Sequence, residues 1–476
     1  MKKTLAILLA GLLSLCIVSC ASSQESEGDE SNNNNNKDNN LAVEQNYIEE
    51  KNGKGKFEFD RNENGDYEIT NFVPYAVKAS DITLPTKVNE VTIAGIADNA
   101  FKAQNAISGV TIPATYEYVG DYAFYDCDAL TKITFEKDAD LVKDIGRDTK
   151  LESIGKGAFE SCDLLEGISI PAGVTEISEF TFKDCKAIRA MDLSSIERIQ
   201  KGAFLNCTSI TTITVSDSLK YATKEAFYGC DALKYNEEAE LLYLGNDANK
   251  NLLLVSPKSI NLTECKVSDT TKVIADAAFA NCKYFTTIEL SDSIEVINGT
   301  SFTNCPEFKY TKSENGLYIG NEANPYMVLV ELDVHTVEGF KLNKDTKIIA
   351  DSAFVGCQYL TTIEISDAVK ILNGSAFEVC ANLTYNKYEN GYYIGSEANP
   401  YMVLVKLDIS SVKDFELHKD AKIITETAFA KCNSLNNINF KANKATWEAI
   451  IKADNWNNDR ELEITCEGEK EPIKVN

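Results

Sequence analysis

The chain has 476 residues, and its 73 Asp and Glu outnumber its 47 Lys and Arg, which gives a formal net charge of −26 at pH 7. This sign argues against a nucleic-acid partner, because phosphate backbones attract basic surfaces. The length would suffice for about three ordinary domains. An internal repeat along most of the chain instead predicts one elongated body.

Residues 1–20 predict an export signal. Two lysines precede an apolar run from Leu5 to Val18, which is too short to span a bilayer comfortably. The run ends in Val-Ser-Cys, which looks like the end of a bacterial lipoprotein signal, so we expect cleavage before Cys20 and a lipid on Cys20. An ordinary secretory signal with cleavage nearby is the alternative.

Two further segments precede the repeats. Residues 21–45 are rich in Asn, Ser and Glu and hold few apolar residues, so they predict a disordered tether. Residues 46–80 predict an N-terminal β cap, because two alternating segments flank the turn Asn64-Gly65. A solenoid needs such a cap to cover its first open core face.

The repeat reads Ala-Phe, two residues, Cys, a short gap, an aliphatic residue and then Ile-x-Ile, as in residues 158–170. Its period is close to 23 residues, which predicts a solenoid over residues 81–440 with one short strand and one short helix or irregular turn per repeat. Stacking should build a continuous core. The predicted structural ladder includes Phe124, Phe159, Phe204, Phe279, Phe354 and Phe429, with Cys127, Cys162, Cys207, Cys282, Cys357 and Cys432.

The repeated motif resembles the leucine-rich repeat of BspA-like bacterial surface proteins. The resemblance is carried by Ala-Phe-x-x-Cys at residues 123–127, 203–207 and 353–357, by the following aliphatic residue and by the Ile-x-Ile strand. It implies a leucine-rich repeat solenoid at a bacterial cell surface and adhesion to host proteins or to other cells. It says much less about the ligand, because a fold alone does not fix a function.

The repeated cysteines have three possible states. Stacked equivalents would lie about 5 Å apart, which a disulfide could span. Their Cβ vectors would run parallel, which suits a disulfide poorly, so we favour buried thiols that act as small hydrophobic residues. Disulfides and a metal site are the alternatives left open.

Longer intervals interrupt the pattern. The charged stretch 138–150 predicts a surface loop. From residue 235 a period of 75 residues predicts hairpin insertions near 236–264, 311–339 and 386–414. Their tips offer the candidate binding residues Asn321, Asn324, Tyr326, Asn399 and Tyr401, with tyrosines that pack back onto the solenoid as the alternative. Residues 441–476 predict a C-terminal cap.

Histidine occurs only twice, at positions 335 and 418, and neither position belongs to a repeated set. The sequence therefore predicts no catalytic residue, no cofactor and no metal site. We expect a monomeric, lipid-anchored adhesion protein that binds a protein or glycan of the host matrix or of neighbouring cells. A cell-envelope spacer, or an enzyme or accessory protein acting on polysaccharide, is the alternative.

Overall fold

The computed structural model describes residues 47–475 apart from residues 79, 89, 298, 334, 335, 352, 373, 378, 379, 409, 410, 454, 455, 458, 459 and 461. Residues Asn46–Asn476 form one compact unit. The predicted signal peptide, Cys20, the predicted tether and His335 lie outside the described residues. Within the described part, no helix has both the length and the apolar character needed to cross a membrane.

Short strands dominate the described chain. The N-terminal strands are β1 (Tyr47–Glu49), β2 (Gly55–Arg61), β3 (Tyr67–Pro74), β4 (Ser80–Thr83), β5 (Lys87–Val88), β6 (Val91–Ile96), β7 (Ile107–Ile112), β8 (Tyr118–Val119), β9 (Lys132–Phe135) and β10 (Ser153–Ile154), with helix α1 (Ala139–Ile145) between the last two. The middle strands are β11 (Glu176–Ile177), β12 (Ala190–Leu193), β13 (Arg198–Ile199), β14 (Thr212–Val215), β15 (Tyr221–Ala222), β16 (Asn236–Glu238), β17 (Leu241–Leu244), β18 (Leu253–Pro257), β19 (Glu264–Lys266), β20 (Val273–Ile274) and β21 (Thr287–Glu289).

The C-terminal half continues in the same manner. Its strands are β22 (Thr311–Ser313), β23 (Gly316–Ile319), β24 (Val328–Leu332), β25 (Gly339–Lys341), β26 (Ile348–Ile349), β27 (Thr362–Glu364), β28 (Ile371–Leu372), β29 (Asn386–Tyr388), β30 (Gly391–Ile394), β31 (Val403–Leu407), β32 (Asp414–Leu417), β33 (Ile423–Ile424), β34 (Asn437–Phe440), β35 (Ile451–Lys452), β36 (Leu462–Cys466) and β37 (Ile473–Val475), with helix α2 (Lys444–Glu448) before β35. Short 3-10 turns occupy Lys224–Phe227, Gly299–Phe302 and Gly374–Phe377.

The strands form two parallel ladders. The Ile-x-Ile strands make the first ladder, through the paired sets β4–β7–β9, β12–β14, β19–β21, β25–β27 and β32–β34–β36. Strands near the following aliphatic residue make the second ladder, through β6–β8–β10, β11–β13–β15, β18–β20, β24–β26–β28 and β31–β33–β35. The result is a β-solenoid of about 17 turns with a period of about 23 residues and little helix, which confirms the predicted repeat solenoid.

Alternation along each first-ladder strand explains why the chain closes around a core. In β12, Met191 and Leu193 are buried while Ala190 and Asp192 are exposed. In the neighbouring β14 Ile213 and Val215 are likewise buried, and β14 pairs in parallel with β12 so that Met191 lies opposite Ile213. Each turn therefore covers the apolar face of the next turn, as the stacking of a solenoid requires.

The repeated phenylalanines stack at the centre of this core. The rings of Phe159 and Phe182 lie 5.6 Å apart with an interplanar angle of 6°, and those of Phe182 and Phe204 lie 5.6 Å apart at 11°. All three side chains are fully buried. The offset between successive turns is thus set by ring stacking as well as by the ladder hydrogen bonds.

The charged stretch predicted as a surface loop contains a helix instead. The side chain of Asp138 accepts a hydrogen bond from the backbone N–H of Asp140 at 2.8 Å and caps the start of α1. Gly146 ends the helix with a φ of 72°, a left-handed conformation that glycine adopts without strain. The Asp and Gly at these two positions are the signal that favours a helix over a loop.

The three segments predicted as hairpin insertions each complete a turn of the solenoid. In the second of them β22 and β23 form a hairpin, and β23 pairs antiparallel with β24. Strand β24 then pairs in parallel with β26 and so belongs to the second ladder. The strand pairing therefore keeps this segment within the stack, whereas the sequence suggested a hairpin that emerges from it.

Antiparallel strands adjoin both ends of the solenoid. Strands β1, β2 and β3 pair antiparallel, and β3 joins β6 in parallel. At the other end β36 joins the first ladder and β37 pairs antiparallel with it. Trp447 and Trp456 are buried beside the last turns. The capping role of these two segments remains a prediction about stability.

Candidate functional site

A groove of about 600 Å³ lies on the first ladder between β19 and the turn after β23. We call it the first groove. Lys266 and Glu289 form one wall, where their side chains pair at 2.9 Å across the adjacent strands β19 and β21. Asp292 lies in the turn after β21, and Asn321 and Glu322 form the opposite rim. The groove therefore forms where a strand ends beside an overhanging turn.

The same groove recurs 75 residues later, again with a volume of about 600 Å³. We call this copy the second groove. Lys341 and Glu364 pair at 2.9 Å across β25 and β27, and Asp367, Ser396 and Glu397 occupy the remaining equivalent positions. Because both grooves lie on the face of the first-ladder strands, the period of the chain fixes their spacing.

Two smaller depressions adjoin the grooves on the same face. One has a volume of about 280 Å³ and shares Glu289 and Glu322 with the first groove. The other has a volume of about 390 Å³ and shares Lys341 and Glu364 with the second groove. We call the surface lined by these four cavities the groove face. It extends over residues 266–398 and is our candidate functional site.

Six of the ten charged side chains that line the two grooves are paired. Glu289 and Glu364 accept hydrogen bonds that raise the pKa of Lys266 and of Lys341. Lys347 lies 3.1 Å from Asp292 and holds the pKa of that carboxyl below its usual value. Lys422 contacts the equivalent Asp367 at 3.2 Å.

The carboxylates of the two rims differ from the rest. Glu322 and Glu397 are exposed. Neither forms a hydrogen bond or an ion pair with another residue in the described part of the chain. Asp269 of the first groove and Lys344 of the second, which stand at equivalent positions, also form no ion pair among the described residues, so Glu322 and Glu397 are the unpaired charges that the two grooves share.

The asparagines predicted to bind a ligand hold the rim turns together. Asn324 donates from Nδ2 to the carbonyl of Asp345 at 2.8 Å and accepts the N–H of Tyr326 at 3.1 Å. Asn321 accepts the N–H of Asn324 at 2.8 Å. Asn399 repeats the contacts of Asn324, at 2.8 Å to Asp420 and 3.2 Å to Tyr401.

The predicted binding tyrosines are half-buried. Tyr326 packs edge-on against Tyr318 with the ring centres 5.6 Å apart. Tyr401 stacks on His418 at 4.1 Å and packs edge-on against Tyr393 at 5.7 Å. These contacts favour the alternative in which the tyrosines pack back onto the solenoid and hold the turn in place. Ligand binding by these five predicted residues remains a prediction.

Two other tyrosines face solvent and were missed by the sequence reasoning. Tyr284 and Tyr359 are each 59% exposed, and each lies two residues after a repeated cysteine. They immediately precede the strand regions of β21 and β27, which carry Glu289 and Glu364 of the grooves. A comparison of positions 75 residues apart would have identified them, because tyrosine stands at both equivalent positions.

The remaining reactive groups form no recognisable centre. The described cysteines are all free, and most are buried. Among the described residues, no group of three or more His, Cys, Asp and Glu is placed to hold a metal ion. The imidazole of His418 accepts a hydrogen bond from the N–H of Asp420 at 3.1 Å, and burial lowers its pKa.

A family model fits this architecture. The model of the BspA type leucine rich repeat region matches in six copies at residues 68–147, 138–254, 257–325, 333–402 and 406–450. The chain belongs to the BspA-type leucine-rich repeat family. Proteins of this family are generally bacterial cell-surface proteins that bind other proteins. None of the curated proteins matches the chain at a significant level.

Solved structures of other bacterial leucine-rich repeat proteins are similar. A leucine-rich repeat protein of T. pallidum is 21% identical with a TM-score of 0.35, covering 48% of this chain and 87% of its own. A leucine-rich cell surface protein of Faecalibacterium prausnitzii is 20% identical with a TM-score of 0.33, covering 84% and 96%. The pneumococcal vaccine antigen PcpA is 13% identical with a TM-score of 0.24, covering 89% and 99%.

Proposed function

We propose that this protein is a lipid-anchored bacterial surface protein that adheres to other proteins through the groove face. The observation that carries the proposal is the duplication of one groove, with largely equivalent residues and equal volumes, on the face of the first-ladder strands. Family membership supports protein binding in general. The groove face is the part of the molecule at which we place this binding.

The geometry of the groove face suits adhesion. Two equivalent grooves on one body can engage a repetitive partner together, and linked contacts bind more tightly than either contact alone. The walls combine paired charges with hydroxyl groups such as that of Ser291, and Tyr284 and Tyr359 stand exposed beside the same strands. Tyrosines often contribute a large share of the energy in protein interfaces.

A double variant that fills both grooves tests the proposal. Ala323→Trp with Ala398→Trp places a large ring at the exposed tip of each rim, where the native side chain contacts no core residue. We expect adhesion to extracellular matrix proteins and to co-resident bacteria to fall while the melting temperature is unchanged.

The matched control is Ala248→Trp. Ala248 occupies the same position of the earliest rim turn, where Asp192 stands in place of the groove lysine. This variant should adhere like the unmodified protein. Undiminished adhesion of the double variant, with a normal melt, would contradict a role for the groove face.

The lipid anchor is tested separately at Cys20. Cys20→Ser removes the thiol that would carry the lipid, so we expect the protein to be released into the medium or to stay unprocessed. Ala21→Ser is the control, because it keeps the thiol at Cys20. Unchanged membrane association and lipid labelling of Cys20→Ser would rule out lipidation at this residue.

A further inference from the structure

Two features of the groove face recur at a fixed spacing, the Lys–Glu pair and an unpaired rim carboxylate, Glu322 or Glu397. An exposed tyrosine, Tyr284 or Tyr359, precedes the first-ladder strand of each copy and lies outside the lining of the grooves. Three turns of the solenoid separate the copies: Gly320 bridges to Glu289 of β21 in one turn, and β25 pairs with β27 two turns later. At about 5 Å a step, equivalent side chains lie about 15 Å apart.

The two copies differ from the corresponding region of the first 75-residue period. At the positions of Tyr284, Lys266 and Glu289 that region has Ser209, Asp192 and Thr214, while its rim keeps an exposed carboxylate, Asp247. The tyrosine and the Lys–Glu pair are therefore absent from that region, whereas a rim acid occurs in all three periods.

Resting on the proposed function, we infer that the partner is an extended basic polypeptide segment that lies along the ladder across both grooves. Its cationic side chains pair with Glu322 and Glu397, and they contact the faces of Tyr284 and Tyr359. Two independent features support this choice, since free carboxylates attract cations and exposed tyrosine rings bind them through their faces. The net charge of −26 favours the approach of a basic partner.

The spacing defines the segment further. An extended chain rises about 3.3 Å per residue, so cationic residues about five positions apart would reach both grooves. A segment whose basic residues are adjacent would engage one groove at a time and lose the gain from linked contacts. The inference therefore predicts a preference for spaced over clustered charge at constant composition.

Labelled synthetic peptides test this preference with the full exported protein. One peptide carries two pairs of arginines about five residues apart, and its partner has the same composition with all arginines adjacent. By fluorescence anisotropy the spaced peptide should bind about tenfold more tightly. Its binding should weaken as salt is added, because the rim carboxylates are exposed and screened.

Matched variants assign the contacts. Glu322→Gln with Glu397→Gln should weaken the spaced peptide about tenfold, and Tyr284→Ser with Tyr359→Ser should also weaken it. Asp247→Asn makes the same kind of charge change on the rim whose neighbouring strands have neither the tyrosine nor the Lys–Glu pair, so it should leave binding unchanged. Equal affinity for the two peptides, or an equal loss in Asp247→Asn, would overturn the inference.

Two further outcomes separate this inference from the proposed function. Suppose that the double variant with Trp at positions 323 and 398 loses adhesion, although neither peptide binds the unmodified protein. The groove face is then an adhesion surface, and the inference that its partner is a basic segment is wrong. If chitosan oligomers, which are cationic but not peptides, compete as well as the spaced peptide, the partner is not specified as a polypeptide and the inference also fails.

Discussion

Seven of the repeated cysteines donate a hydrogen bond to the turn that precedes them. The Sγ of Cys185 donates to the carbonyl of Phe159 at 3.0 Å, and that of Cys207 to the carbonyl of Phe182 at 3.0 Å. Burial raises the pKa of Cys230 to about 12 and that of Cys380 to about 11. Since the thiolate is the reactive form, these cysteines should be chemically inert in the folded protein.

Thiol titration tests this inertness. We expect the folded protein to react negligibly with a thiol reagent at pH 7 to 9, a range below both raised pKa values, and to react completely once denatured without reductant. Ala323→Cys serves as the positive control, because a thiol on the exposed rim should react at once. Almost no free thiol in the denatured, unreduced protein would show that the ladder is oxidised.

The phenylalanine stack makes a second prediction for single residues. Phe182→Ala empties a site between two stacked rings and should lower the free energy of unfolding by about 3–5 kcal/mol. Leu164→Ala is the control, because Leu164 is 53% exposed and should change stability little. Denaturant unfolding measures both, and equal midpoints for the two variants would contradict a stacked core.

The sequence predicted burial for these residues but missed the sulfur hydrogen bonds. The Ala-Phe-x-x-Cys spacing shows which side chains recur, and recurrence with apolar neighbours indicates a core. A bond from Cys207 to Phe182 also depends on the vertical offset between two turns. That offset follows from the packing of the whole stack, which no single repeat encodes.

Among the elements, the rim turn depends on one glycine and two polar residues. A Cβ atom on Gly320 would overlap the carbonyl oxygen of Asn324, and Gly395 stands in the same relation to Asn399. Two segments of the backbone therefore approach each other closely at this point. The side chain of Asn324 stabilises this arrangement through its hydrogen bonds. The turn is rigid because its own side chains satisfy its backbone groups.

Gly320→Ala should disrupt this turn. The methyl group meets backbone, which cannot move aside as a flexible side chain would, so we expect a loss of more than about 1 kcal/mol in the free energy of unfolding. Gly167→Ala is the matched control, because a Cβ there meets nothing within 4 Å. A melting temperature for Gly320→Ala equal to that of the control would contradict the close approach.

The role of the rim asparagines illustrates the limit of sequence reasoning at this scale. Polar residues repeated on a turn are compatible with a ligand site and with a turn held by its own side chains. The choice depends on whether the amide of Asn324 faces solvent or the carbonyl of Asp345, and the sequence does not contain that orientation. The position of the turn was nevertheless evident from the Gly, Asn and Pro that surround it.

For the described solenoid as a whole, the 75-residue period is a unit of three turns that can be removed. Each turn contacts only its neighbours, so a deletion that preserves the register should leave the remaining interfaces intact. Deleting residues 316–390 joins Asn315 to Gly391, which reproduces the natural pair Asn390-Gly391. We expect a folded protein with one cooperative melt and a smaller unfolding enthalpy.

An out-of-register deletion is the control for this prediction. Removing residues 316–380 joins Asn315 to Ala381 and brings non-equivalent positions together. We expect this variant to aggregate or to melt without a sharp transition. First-ladder strands of one solenoid turn would lie beside loop residues of the next turn and could not pair with them. If both deletions behaved alike by circular dichroism and calorimetry, stability would not depend on the register of the period.

The repeating period is a constant whole number of residues, 75, and this has a consequence for the gene that encodes the protein. Residues 322–330 and 397–405 are the same nine-residue string, Glu-Ala-Asn-Pro-Tyr-Met-Val-Leu-Val. Unequal crossing-over between the DNA segments that encode them would delete or duplicate a whole number of codons and keep the reading frame. Every such recombinant would differ by one groove and three turns. A bacterial population could in this way vary the number of grooves on this protein without first evolving a new fold.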